Sequence, residues 1–96
     1  MYGISQNALD KIKTVLFSMQ GVEQVILYGS RAKGNYREGS DIDLTVKGKL
    51  NFDNLVKMSV NLDDLKLPWK IDLSLYNQIE NKDLLDHIDR VGITIW

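Results

Sequence analysis

Apolar residues recur at helical spacing in the first stretch of the chain. Leu9, Ile12, Val15, Leu16 and Met19 fall on one side of residues 5–20, with Ser5 placed to cap the start and Gly21 to stop the end. The segment "EQVILYG" predicts a strand that enters a turn at Gly29. Through "DIDLTVK", residues 41–47, the pattern alternates: Ile42, Leu44 and Val46 share one face, Asp41, Asp43 and Thr45 the other. Helical spacing returns from 52 to about 64, with Phe52, Leu55, Val56, Ser59 and Leu62 along one side. Pro68 disfavours helix at Leu67, so this helix is expected to end before it. "KIDLSLY", residues 70–76, alternates a second time, with Ile71, Leu73 and Leu75 inward and Lys70, Asp72 and Ser74 outward. A last helix is expected over about 80–91, turning Leu84, Leu85, Ile88 and Val91 inward and ending at Gly92; "ITIW" reads as a short edge strand. The order α-β-(short α)-β-α-β-α predicts an α/β (α+β) fold in which helices pack on a small sheet.

Composition narrows the class without naming a function. The chain has 96 residues, 44% hydrophobic and 26% charged, enough for one domain (1–96) with a single modest core. A net charge of −1 argues against holding nucleic acid by bulk electrostatics. There is no cysteine, hence no disulfide frame and no thiolate metal site. "MYGISQNALDK" has no apolar core of a signal peptide, and no apolar run approaches the roughly 20 residues that span a bilayer. A cytoplasmic protein is the expectation.

Chemistry concentrates in "YGSRAKGNYREGSDIDL", residues 28–44. Asp41 and Asp43 lie two residues apart on the expected strand, so both carboxylates point to one face. Adjacent anions repel unless a cation sits between them, and no lysine or arginine precedes Lys47 on that strand. A divalent cation meets the need, and hard oxygen donors suit Mg²⁺. Asp72, outward on the next strand, could add a third carboxylate if the two strands are neighbours. Upstream, Gly29-Ser30 leads from a strand into a helical turn, where free backbone N–H groups form an anion cradle that glycine lets a phosphate approach closely. Arg31 and Lys33 are cations within reach. Together these groups read as a site for a metal-bound triphosphate.

Gly29-Ser30, then ten residues, then Asp41-Ile42-Asp43 resembles the GS-x10-DxD motif of the DNA polymerase β-like nucleotidyltransferase superfamily. The short length, "YGSRAKG" and "LPWKIDL" at 67–73 are similar to its smallest branch, the minimal nucleotidyltransferases (MNT proteins). The resemblance implies that fold, with a small mixed sheet, over nearly the whole chain. Several MNT proteins are antitoxins paired with a HEPN-domain toxin, an RNase, and some transfer AMP to a tyrosine of that toxin. Carried over, Gly29 and Ser30 hold the nucleotide phosphates of ATP. Asp41 and Asp43 bind two Mg²⁺ ions. Asp72 matches the third carboxylate and serves as general base or as a ligand beside it, while Arg31 and Lys33 neutralise the triphosphate.

Other polar residues have plainer readings. Arg37 reads as a surface cation, Ser40 as a turn residue, and His87, placed on the polar side of the last helix, as solvated. Tyr28 and Trp69 read as packing residues, although Tyr28 adjoins the motif. Trp96 either covers a sheet edge or contacts a partner, and the acids at 80, 83, 86 and 89 make a solvated face.

Larger members of the superfamily carry an extra domain for the acceptor, and 96 residues leave no room for one. The acceptor is therefore expected from another molecule, a partner protein rather than nucleic acid given the charge. The leading expectation is Mg²⁺- and ATP-dependent adenylylation of a HEPN toxin, within a homo- or hetero-oligomer. Masking of the partner without catalysis and nucleotidyl transfer to a small molecule are the alternatives.

Overall fold

The structure, a computed structural model, describes residues 1–96. Helix α1 spans Gln6–Phe17, and Ser5 caps it as its position predicts, its Oγ accepting the Ala8 N–H at 3.2 Å. The helix stops three residues short of the expected end. The Ser18 N–H turns back to the carbonyls of Leu16 and Thr14, and Gly21, with φ at +104°, lies in the turn that leads into β1 (Val22–Tyr28). A one-turn helix α2 (Ser30–Lys33) follows, then β2 (Ile42–Gly48), α3 (Phe52–Asp63), β3 (Ile71–Leu75), a 3₁₀ turn at Tyr76–Gln78, α4 (Lys82–Val91) and β4 (Ile93–Thr94). Asn51 and Asn54 form a reciprocal capping box on α3, and Asn81 caps α4.

The four strands make one mixed sheet in the order β3-β2-β1-β4. Strand β1 is antiparallel to both β2 and β4, whereas β2 and β3 run parallel with α3 as their crossover. "ITIW" is thus the edge strand its pattern predicts, although only Ile93 and Thr94 are registered on the ladder. The α/β architecture with a small mixed sheet is the one anticipated.

The main core lies between one sheet face and helices α1 and α3. Ile12 and Leu16 from α1, Met58 and Leu62 from α3, and Leu27, Leu44 and Val46 from the sheet are all buried there. Each such side chain contributes about 1.5–3 kcal/mol of transfer free energy. The inward side of α3 differs from the expected one. It runs through Leu55, Met58 and Leu62, while Phe52 and Val56 are exposed. Helical spacing of apolar residues continues on both flanks of α3, so periodicity alone did not fix which stripe meets the sheet.

The opposite face of the sheet also differs from a solvated one. Helix α4 lies across part of it and packs Ile88 against Ile26 and Tyr28. Thr45, expected outward, is fully buried, and its hydroxyl donates to the Ser74 carbonyl at 3.4 Å. Alternation shows that the two faces differ. It cannot show that a helix from the far end of the chain covers the polar one. The acids of α4 are largely surface residues as expected: Asp86 pairs with Arg90 at 2.9 Å and Asp89 accepts the Tyr76 hydroxyl at 2.8 Å.

Candidate active site

Register places the carboxylates. Tyr28 on β1 stands opposite Asp43 on β2, and Asp43 stands opposite Asp72 on β3. Residues directly opposite each other on a ladder point to the same side, so Tyr28, Asp43 and Asp72 form one row across three strands. The parallel pairing of β2 with β3 is what brings Asp72 into line. Asp41 comes just before β2, which begins at Ile42 rather than at residue 41. Strand pairing therefore does not itself hold Asp41, contrary to the expectation that it sits on the strand.

The row is electrostatically strained. Burial pushes the Asp43 carboxyl above the usual carboxylate range; the charges of Asp72 and then Asp41 push it further, and His87 opposes them. The Tyr28 phenol is also raised, first by burial and then by Asp43 and Asp72, with the Ser74 side chain acting the other way. No lysine or arginine pairs with any of the three aspartates; the one ion pair in the chain is Asp86–Arg90. Neighbouring carboxylates without a cation fit a hard divalent ion. No three acidic or histidine side chains are gathered closely enough to hold a metal ion by themselves. Mg²⁺ usually takes one or two carboxylates and completes its shell with water and phosphate oxygens.

Gly29 joins the row to the turn. Its backbone sits at φ +74°, ψ −156°, and a Cβ built there would collide with Asp43 Oδ2. The Gly29 backbone and the Asp43 carboxylate are in direct contact, so Gly29-Ser30 and the aspartates border one space. The Gly29 N–H is not free, however. It donates to His87 Nε2 at 3.2 Å, and the His87 ring stands edge-on to Tyr28 with centroids 6.2 Å apart.

His87 is the residue that the sequence reading missed. Its position reads as the polar side of α4, yet it follows Leu84 by three positions and precedes Val91 by four, on the flank of the inward stripe. The structure places it half-buried over the turn. His87→Leu should leave the Gly29 donor unpaired and cost about 1 kcal/mol. Hydrogen exchange at the Gly29 amide reads this directly: protection should fall in the variant, and unchanged protection would show that His87 does not hold that amide.

The two cations part company. Lys33 is exposed at the end of α2, free to meet an anion. Arg31 is only 2% exposed; its guanidinium donates to backbone carbonyls and lies over two aromatic rings rather than beside Gly29. The largest cavity, about 540 Å³, is lined by Arg31, Tyr36, Glu38 and Trp69 among others and contains none of the three aspartates. Along the row Tyr28 is buried, Asp43 half-buried and Asp72 exposed, so it opens to solvent at Asp72.

A glycine-serine turn is thus pressed against paired carboxylates on a mixed sheet. The sequence model of the polymerase beta nucleotidyltransferase family matches residues 10–96, and the chain belongs to that family. Over 41 residues, 43% of this chain, it is 39% identical to a protein named for protein adenylyltransferase activity from Methanocaldococcus jannaschii; the match spans 41% of that relative's length. Among solved structures, a toxin–antitoxin with AMP-PNP superposes with a TM-score of 0.74 at 21% identity, covering 91% of this chain and 71% of that one. An MNT antitoxin in complex with a tri-AMPylated HEPN toxin of Shewanella oneidensis gives 0.72 at 19% identity, covering 97% and 72%. At such identities the superpositions establish the shared fold. No helix is long and apolar enough to cross a membrane.

Proposed function

We propose that this nucleotidyltransferase transfers AMP from ATP to a hydroxyl of a partner protein, a tyrosine of a HEPN-domain toxin, and so acts in the cytoplasm as that toxin's antitoxin. The observation that carries the reading is the contact of Gly29 with the Asp43 carboxylate, with Asp72 directly across the ladder. It unites an anion-binding turn with a set of carboxylates that no protein cation neutralises. The names of the relatives, one an adenylyltransferase and two from toxin–antitoxin complexes, support the choice of AMP and of a HEPN partner.

In this reading Gly29, Ser30 and Lys33 would hold the triphosphate, and Asp41, Asp43 and Asp72 would hold Mg²⁺. When bound, the ion would supply positive charge for an in-line displacement. The acceptor oxygen bonds to the α-phosphorus as the bond to pyrophosphate breaks. The exposed Asp72 carboxylate, at the open end of the row, takes the acceptor proton. Tyr28 and His87 shape the floor: the phenol lies beside Asp43 and the imidazole fixes the Gly29 amide.

Intact-mass measurement of the partner after co-expression tests the proposal. The partner should gain the mass of AMP with the native chain and none with Asp41→Ala/Asp43→Ala. An unmodified partner that is nevertheless neutralised, equally by the native and the double-variant chain, would make the protein a masking antitoxin instead.

A further inference from the structure

We propose that Arg31 is a positioning residue for Asp41, rather than a ligand of the nucleotide phosphates. Asp41 lies outside the β2 ladder, and something else must fix it. After it, the Ile42 N–H donates to the Lys70 carbonyl at 2.9 Å. Before it, the Ser40 carbonyl, which belongs to the peptide unit entering Asp41, accepts two hydrogen bonds from one guanidinium: Arg31 Nε at 3.1 Å and Nη2 at 2.8 Å. Asp41 is thus suspended between two anchored peptide units, and Arg31 supplies one anchor.

The same guanidinium is itself fixed. Nη1 donates to the Tyr2 carbonyl at 2.8 Å, and the group lies over the Tyr36 and Trp69 rings at 5.1 and 5.7 Å from their centroids. Carbonyl dipoles and aromatic faces stabilise the buried cation without a carboxylate partner. A carboxylate in place of those carbonyls would have neutralised Arg31 but left the Ser40 peptide unheld. At 2% exposed, with three of its N–H donors committed to carbonyls, the guanidinium presents little surface to a phosphate. A planar fork is needed to bond one carbonyl twice while reaching a second; lysine cannot reproduce it.

This inference rests on the proposed metal role of Asp41, and one part of its test is independent of that role. In the metal-free protein, Arg31→Lys should lower the ¹⁵N order parameter of Asp41 from the rigid range near about 0.85 to below about 0.6. Asp43, held on the ladder, should stay rigid. An Asp41 amide as rigid in the variant as in the native chain overturns the proposal, whatever the metal does. The second part titrates Mn²⁺ alone and reads the free ion by electron paramagnetic resonance. Arg31→Lys should weaken Mn²⁺ binding about tenfold, with the KM for ATP at saturating Mg²⁺ changed less than twofold. Arg31→Met should weaken it at least as much. A raised ATP KM with unchanged Mn²⁺ affinity would instead make Arg31 a phosphate ligand. A lowered melting temperature with both constants unchanged would make it a residue of the fold alone. Absence of Mn²⁺ binding by the native chain would defeat the metal reading, and the order-parameter result would still decide the role of Arg31.

Discussion

Asp43→Asn should abolish nucleotidyl transfer, by at least about 10³-fold, and at the same time make the metal-free protein more stable. The catalytic loss follows from removing the central charge of the row, the one carboxylate in contact with Gly29 and paired across the ladder with Asp72. The gain in stability follows from the direction of its pKa. Burial, then Asp72 and Asp41, raise the Asp43 carboxyl above its ordinary value. A group raised in the folded state favours folding fully below its unfolded pKa, and that contribution is lost as pH rises through the folded pKa. Above its folded pKa the ionised Asp43 therefore opposes the fold, and a neutral asparagine of the same shape relieves it. The melting temperature of Asp43→Asn should exceed that of the native chain by a few degrees at pH 7, and the gap should close as pH falls below the ordinary aspartate range. A variant no more stable than the native chain at pH 7 would mean that the carboxylates do not strain one another. Such an exchange of stability for function is common where charges are gathered for catalysis.

Gly29→Ala should damage both the fold and the site. At φ +74° and ψ −156° the backbone occupies a region that is essentially reserved for glycine, and holding an L-residue there costs of order 1–3 kcal/mol. The added Cβ also meets Asp43 Oδ2, so either the turn or the carboxylate must move. A stability loss of at least about 2 kcal/mol should lower the melting temperature by roughly 10 °C in a domain of this size. Displacing the carboxylate by even about 1 Å should cost some 10²-fold in transfer rate. Gly34→Ala is the matched control. Its φ is also positive, +87°, but nothing lies within 4 Å of the added Cβ. It should lose about 1 kcal/mol and leave the transfer rate within a fewfold of native. Equal rate losses in the two variants would show that backbone strain, and not the approach to Asp43, explains the need for glycine.

Much of this site was legible in the sequence because its parts are local. The facing of Asp43 and Asp72 follows from strand periodicity, since a one-residue slip would bury both carboxylates among Ile42, Leu44, Ile71 and Leu73. The turn at Gly29 follows from composition, and the helix start at Ser5 follows from a cap that acts within three residues. What the sequence did not show is set by contacts between distant segments. His87 reaches the Gly29 amide from 58 positions away. Arg31 read as a phosphate cation because its charge is visible in the sequence, whereas its carbonyl partners at Tyr2 and Ser40 are not. Thr45 reads as a polar-face residue because alternation cannot show its hydroxyl meeting the Ser74 carbonyl, 29 positions away. The extent of β2 is a smaller case: alternation includes Asp41, but the ladder ends at Ile42, and that single residue decides what must hold the first carboxylate.

The central claim is that these residues move a nucleotidyl group, and the position of the label in ATP tests it most directly. Purified chain, Mg²⁺ and the proposed HEPN partner are incubated with ATP labelled at the α-phosphate or, separately, at the γ-phosphate. The α-label should pass to the partner, the γ-label should leave with pyrophosphate, and both transfers should vanish in Asp43→Asn. Partner labelled from the γ-phosphate, or α-labelled equally well by Asp43→Asn, would contradict the assignment.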